Sequence, residues 1–344
     1  MIDLRSDTVT RPTEAMLESM REASLGDDSR DGDATVERLE ALAAERMGKE
    51  GAAFMPSGTM TNLVAVLSHT QRGGEVLLES GSHILNSELG GITAVAGAFY
   101  KGVPGRRGAM DLTHLAHTIR SATRQNFGTA LVCMETSHNR AGGAVLPVEH
   151  MHAVREVAQA HGVPVHIDGA RVFNAAAHLG VAPREIARHG DSICFCVSKG
   201  LSAPVGSLLC GGGEFMERAR AFRRMVGGNM RQAGPLAAAG IVALETMAER
   251  LADDHTTAKR LAQGLHRIDA ALVDPAGVET NIVKVELPAQ GADAAAWSAA
   301  LAKENVRVSP AERFSLRFVT HRHVGDAEID AAIAAFERVW KRSR

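Results

Sequence analysis

The chain is short of the features that mark zinc, redox, membrane or nucleic-acid proteins. Its four cysteines, Cys133, Cys194, Cys196 and Cys210, each lie inside an apolar run, and none forms the Cys-x-x-Cys spacing of a zinc or redox site. They read as buried, reduced thiols. The most apolar stretch, Ala233 to Leu244, contains Gly234, Pro235 and Gly240 and is followed by Glu245, well short of the ~20 residues a spanning helix needs. No membrane span is expected. Asp3, Arg5 and Asp7 stand where a secretory signal would carry its apolar region, so a cytoplasmic location is expected. With 38 Lys+Arg against 40 Asp+Glu there is no basic excess to neutralise a phosphate backbone, and nucleic acid is a poor candidate partner. Neither a G-x-x-x-x-G-K-[ST] loop nor a G-x-G-x-x-G fingerprint occurs; Gly211-Gly212-Gly213 reads as a turn. That argues against nucleoside triphosphates and NAD.

What the chain does have is an ordinary globular balance, 45% hydrophobic and 23% charged residues, so a substantial core forms. Its 344 residues correspond to about two domains. Thr35 is placed to cap a helix in which Val36, Leu39, Ala43 and Met47 recur at helical spacing, with Gly48 as the stop. Strand-like runs follow at Val76–Leu78, Ala130–Met134, Val163–Ile167, Ile193–Val197 and Ser207–Cys210, several separated by helical patterns. This alternation implies an α/β fold with a mainly parallel, helix-covered central sheet. From about Thr246 a charged helical segment leads into Ile282–Glu286, Val306, Val308, Phe314–Val319 and a last helix with Ile329, Ile333, Phe336 and Trp340. The expected division is residues 1–245, an arm and a large domain, and 246–344, a smaller α/β domain. In such sheets ligands bind beyond the carboxyl ends of the strands.

Three segments carry chemistry. Val163–Arg171 is an apolar strand that ends in Asp168, with Arg171 three positions later. A carboxylate there needs a cationic or hydrogen-bonding partner, and an internal Asp168–Arg171 ion pair is the plain reading. Phe195–Gly200 is a second strand running into a small-residue loop with Lys199 just past its end. Most lysines are solvated surface groups, but one partly desolvated at the mouth of a sheet can form a Schiff base. In Met55–Leu63 the turn Ser57-Gly58-Thr59 opens a helical pattern. It is either ordinary N-capping by Ser57 or an anion cradle of free N–H groups and hydroxyls. A phosphate cradle, a strand-end aspartate and a Schiff-base lysine are together the fixtures that pyridoxal 5′-phosphate requires.

With these segments in place, the chain resembles the low-specificity L-threonine aldolases, which share the aspartate-aminotransferase-like fold. The resemblance runs nearly end to end, through Met1–Thr10, Gly26-Asp27-Asp28, Pro56–Thr59, the His83 segment, Ser137-His138-Asn139, His166–Arg171, Ser198–Leu201, Met230-Arg231-Gln232 and Arg317–His321. It implies a Schiff base at Lys199, Asp168 on the pyridine nitrogen, and Ser57, Gly58 and Thr59 on the phosphate. It also implies His83 stacked on the cofactor ring, which suits a chain whose only tyrosine is Tyr100 and whose two tryptophans, Trp297 and Trp340, come late. Ser6, Arg171 and Arg317 would bind the substrate carboxylate, and His138, near the substrate hydroxyl, or His83 through a water, would take the hydroxyl proton. Arg231 would reach a neighbouring subunit's cofactor in a homotetramer, a dimer of dimers with shared sites. The implied activity is retro-aldol cleavage of β-hydroxy-α-amino acids to glycine and an aldehyde, with β-elimination or transamination on the same scaffold as the alternative. A metal-dependent hydrolase using His321 and His323 lacks a third ligand. One departure stands out: where the family reads Tyr-Gly-acidic-Asp-Pro this chain has Arg30-Asp31-Gly32-Asp33-Ala34, which places Arg30 at the substrate side and implies an altered side-chain preference.

Overall fold

The computed structural model describes residues 1–289 and 291–343. After helix α1 (Glu14–Glu22), the first amphipathic segment forms α2 (Ala34–Met47) and stops at Gly48 in a left-handed conformation, φ 61°. Its cap is Asp33, not Thr35. The Asp33 carboxylate accepts from the N–H groups of both Thr35 and Val36, and so satisfies two of the helix's orphan donors at once.

The central sheet has seven strands, β1 (Gly51–Met55), β2 (Glu75–Glu79), β3 (Phe99–Val103), β4 (Thr129–Glu135), β5 (Val165–Asp168), β6 (Ser192–Cys196) and β7 (Ser207–Gly211). Their spatial order is β1-β7-β6-β5-β4-β2-β3, and only β7 runs antiparallel to its neighbours. This is the mainly parallel α/β sheet expected. Helices α3 (Gly58–His69), α4 (Val148–Gln159), α5 (Val172–Leu179), α6 (Gly213–Met225) and α7 (Gly234–Thr246) surround it. Both faces are buried, as alternation along β1 shows: Ala52 and Phe54 pack in the cluster with α2, while Ala53 and Met55 pack with Val64 of α3 and Phe215 and Met216 of α6.

Helix α8 (Leu251–Ile268) joins two cores, with Leu251 in the large one and Ala258, Leu261 and Leu265 in a second. The second core lies between α8, the antiparallel strands β8 (Ile282–Glu286), β9 (Ser309–Glu312) and β10 (Ser315–Val319), and helices α9 (Ala294–Lys303) and α10 (Asp326–Ser343). Both tryptophans are spent here: Trp297 stacks on Phe336 at 5.0 Å and packs against Trp340. Leu4 is buried in the same core, and Ile2–Asp3 pairs in parallel with Val306–Arg307. This anchoring carries Ser6 and Asp7 to the strand ends, where the Thr10 hydroxyl donates to the Lys199 carbonyl at 3.1 Å. Among the described residues no helix is long and apolar enough to cross a membrane, and all four cysteines are free and buried.

Candidate active site

Alternation along β5 turns His166 and Asp168 to the same side of the sheet. There Asn62 of α3 meets both, and Asp168, only 2% exposed, accepts from the Asn62 amide at 3.0 Å and from the Ala170 N–H at 3.1 Å. The expected Asp168–Arg171 ion pair does not form. Arg171 instead grips Asp7 through Nε and Nη2, both at 2.7 Å, because the N-terminal arm presents that carboxylate squarely to the guanidinium fork. Burial would raise the Asp7 carboxyl, but Arg171 outweighs it and holds it far below the usual carboxylate range. Among the described residues, then, Asp168 is a buried strand-end carboxylate without a salt-bridging cation.

Asp168, Lys199 and His83 line one cavity of about 160 Å³. The Lys199 amine, just beyond β6, has no hydrogen-bond or ion-pair partner among the described residues. Arg171, Arg317 and Ser6 line the same cavity. Arg317 donates to the Asn139 side-chain oxygen at 2.9 Å and to the Arg5 carbonyl at 3.3 Å, while its Nε is buried and unpartnered. Burial and the nearby Arg171 cation lower its affinity for its proton. Both guanidiniums therefore face one space, and among the described residues Arg171 has a carboxylate, Asp7, on its fork whereas Arg317 has none.

His83 opens a one-turn helix, His83–Asn86, and its N–H donates to Glu135 at 2.6 Å. Its ring Nδ1 lies 2.9 Å from Glu88, and Nε2 has no partner among the described residues. The hydrogen bond to Glu88 raises the ring's proton affinity against the effect of burial, with help from the Asp168 and Glu135 charges. His138 sits differently. It is 1% exposed, its Nε2 is 3.0 Å from Glu79, and its Nδ1 accepts from the Ala141 N–H, so neither nitrogen is free to meet a substrate.

Ser57 does cap α3, accepting from the Met60 N–H at 3.2 Å, and the N–H groups of Gly58 and Thr59 have no acceptor among the described residues. The capping and anion-cradle readings therefore coexist. Gly58 lies against the end of β6: a Cβ there would stand 2.9 Å from the Cys196 sulfur, three residues before Lys199. A free-donor helix start, an unpaired lysine and an unpaired buried carboxylate suit the phosphate, carbonyl carbon and ring nitrogen of pyridoxal phosphate. Arg30 and Arg231 are not brought to this cavity. Both are mostly exposed side chains near Asp27, each 3.7 Å from its carboxylate. Both ring nitrogens of His321 and Nε2 of His323 are taken up by backbone groups.

Sequence reasoning missed Asn62, Glu88 and Glu135. Glu135 ends β4 as Asp168 ends β5, and that shared strand-end position was the available signal. Asn62 and Glu88 sit in helical and loop segments whose local pattern marks nothing.

Residues 3–288 match the model of the beta-eliminating lyase family. The chain is 40% identical over 346 residues to low-specificity L-threonine aldolase 1 of Arabidopsis thaliana, covering 98% of this chain and 96% of that one. It is 39% identical over 341 residues to the low specificity L-threonine aldolase of Escherichia coli K12, covering 99% of each. Among solved structures, Leishmania major threonine aldolase superposes with a TM-score of 0.83 at 18% identity, covering 98% of this chain and 99% of that one.

Proposed function

The chain belongs to the low-specificity L-threonine aldolases of the beta-eliminating lyase family, and from that premise we propose how its own residues carry the reaction. It is a pyridoxal-phosphate-dependent lyase that cleaves the Cα–Cβ bond of threonine and related β-hydroxy-α-amino acids, releasing glycine and an aldehyde. When bound, the cofactor supplies the sink for the electron pair of the breaking bond. Lys199 would hold it through its amine, Asp168 would take the pyridinium, Ser57, Gly58 and Thr59 would take the phosphate, and His83 would cover the ring. The observation that carries this reading is Asp168: a buried carboxylate with no salt-bridging cation among the described residues lines the same cavity as a lysine with no partner among them.

Arg171, already fixed by Asp7, and Arg317 bind the substrate carboxylate, with Ser6 beside them. Holding that group would fix rotation about the neighbouring bond and so select Cα–Cβ as the bond that breaks. His83 takes the hydroxyl proton, directly or through a water, at Nε2. His138 bears on the hydroxyl only through its hold on the Ser137-His138-Asn139 segment, since its nitrogens are occupied.

Three further parts of the reading are proposals of the same standing. The chain divides near 245/246, supported by the passage between cores within α8. It works as a homotetramer, a dimer of dimers in which Arg30 and Arg231 serve a neighbour's site, supported by their exposure away from their own cavity and by the full exposure of Leu89. It is cytoplasmic, supported by four buried free thiols. The test of the central reading is Lys199→Ala. Purified wild type should be yellow and release equimolar glycine and acetaldehyde from threonine, and the variant should lose both the absorbance band and turnover. Full turnover in the variant, or ammonia and a keto acid as wild-type products, overturns it.

A further inference from the structure

Behind Asp168 lies a continuous line of polar side chains that the reaction does not itself use. His69 and Asn62 are seven residues apart on α3 and so share a face. His69 Nε2 lies 2.8 Å from the Ser192 hydroxyl, Ser192 lies 2.8 Å from His166 Nδ1, and His166 Nε2 lies 3.0 Å from Asn62 Oδ1. The Asn62 amide nitrogen then donates to Asp168 Oδ2 at 3.0 Å and to Glu88 Oε1 at 2.8 Å. Glu88 Oε1 is the atom that meets His83 Nδ1.

This line has a single consistent direction. Asn62 must turn its NH₂ toward the two carboxylates, because its carbonyl there would face acceptors only. Its Oδ1 therefore faces His166, which must present a proton on Nε2. A neutral imidazole carries one proton, so His166 Nδ1 accepts from Ser192, and Ser192 in turn accepts from His69. Burial supports neutral rings, holding His69 down to about 3 and His166 to about 4. The Cys194 thiol also donates to Asn62 Oδ1, at 3.1 Å, in the same sense. Every donor points toward Asp168 and Glu88. The two protons of one amide are thus shared between the carboxylate assigned to the cofactor and the carboxylate that holds the histidine.

We propose that Asn62 and Glu88 are positioning residues: Asn62, oriented by the His69–Ser192–His166 line, fixes the Asp168 and Glu88 carboxylates, and Glu88 fixes His83 with its proton on Nδ1 and its lone pair on Nε2. This rests on the assignment of Asp168 and His83 made above. It accounts for a buried asparagine with all of its capacity used, and for a buried glutamate that touches neither substrate nor cofactor. His83, Glu88 and Asp168 also lie close enough to ligate a metal, but Asn62 and these hydrogen bonds already occupy the inner carboxylate oxygens.

The test uses holoenzyme. Glu88→Ala should lower kcat for threonine roughly tenfold or more while KM stays within about twofold, since the carboxylate-binding arginines are untouched. Glu88→Gln keeps an Oε1 able to accept from both Asn62 and His83, and should return kcat to within about threefold of wild type. Asn62→Ala should weaken pyridoxal phosphate binding roughly tenfold, read by equilibrium dialysis, and shift the visible band of the bound cofactor. Ser192→Ala removes one atom from a buried strand and folds where a larger change does not; it should weaken cofactor binding about threefold. A Gln variant as impaired as the Ala variant, an unimpaired Glu88→Ala, or cofactor affinity and spectrum unmoved in both Asn62→Ala and Ser192→Ala overturns the proposal. Failure of wild type to release glycine would count against the proposed activity instead, and the dialysis and absorbance arms would still judge the positioning role.

Discussion

Replacing Asp7 with alanine leaves the Arg171 guanidinium in a 7% exposed site without the one carboxylate that pairs with it among the described residues. Removing one member of a buried ion pair costs about 3–5 kcal/mol, because the remaining charge stays desolvated. With an unfolding entropy of roughly 2.1 cal/mol/K per residue, 344 residues give about 0.7 kcal/mol/K, so the expected fall in Tm is ~4–7 °C. Differential scanning calorimetry of the two proteins at neutral pH measures it. Arg171→Met in the same background should recover part of the loss, because an apolar side chain tolerates the site that an unpaired cation does not. Acid titration gives an independent check with a definite sign. The Asp7 carboxyl is held below its unfolded value, so its contribution is present above about pH 3.8 and is lost as pH falls toward the folded value. Asp7→Asn should flatten that acid limb. A Tm within about 1 °C of wild type for Asp7→Ala, or a double variant as unstable as the sum of the singles, would refute the reasoning.

Arg317→Lys removes a fork that an ammonium cannot reproduce, and should raise KM for threonine at least about tenfold with kcat changed by less than about threefold; steady-state kinetics decide it. Gly58→Ala places a methyl 2.9 Å from the Cys196 sulfur, shifting the helix start and weakening cofactor binding about tenfold, and Cys196→Ala in that background should restore it. Arg30→Tyr should change the relative kcat/KM for threonine, allo-threonine and phenylserine by roughly threefold or more. Beyond Arg317 a second cavity of about 280 Å³, which includes Arg140, Lys284 and Glu312, has room for larger or more polar side chains than acetaldehyde provides. An unchanged profile would remove Arg30 from the substrate side.

The parts of the molecule legible in the sequence are those whose signals are local. Val76–Leu78, Ala130–Met134, Ile193–Val197 and Ser207–Cys210 are dense in β-branched or large apolar residues, and strands stand there. Gly51–Met55 went unread because Gly-Ala-Ala has no strand preference of its own; burial on both faces makes it a strand. Phe99–Val103 went unread because it is an edge strand with exposed Phe99, Tyr100 and Lys101. In the site, Asp168 and Lys199 were readable as strand-end groups. The partner of Arg171 was not, since Asp7 arrives through an arm anchored by a pairing 304 residues away, Ile2 with Val306.

Charge pairing around the cavity separates what the protein completes alone from what it leaves for its ligands. Asp7 and Arg171 neutralise each other, and both are needed merely to keep the other buried. Glu88 and His83 meet directly, while Glu135 is met by the backbone N–H groups of His83 and Asn139 and lies 3.7 Å from His138 Nε2. Among the described residues, Asp168, Lys199 and Arg317 are the charged groups lining the cavity with no opposite charge bound to them. On the function proposed above, each would meet one ligand charge or bond: a pyridinium for Asp168, a carbonyl carbon for Lys199, an amino-acid carboxylate for Arg317. On the assignment proposed above, pyridoxal phosphate would bring an opposite charge to Asp168, a 2% exposed carboxylate with no salt-bridging cation among the described residues. Saturating cofactor should therefore stabilise the fold by RT ln(1 + [L]/Kd), about 2.7 kcal/mol at a concentration of a hundred times Kd, and raise Tm accordingly. Asp168→Asn, which never strands the charge, should raise the Tm of the cofactor-free protein while shrinking the gain on loading. An Asn variant with the same cofactor-dependent gain as wild type would show that the ring nitrogen is not what Asp168 awaits.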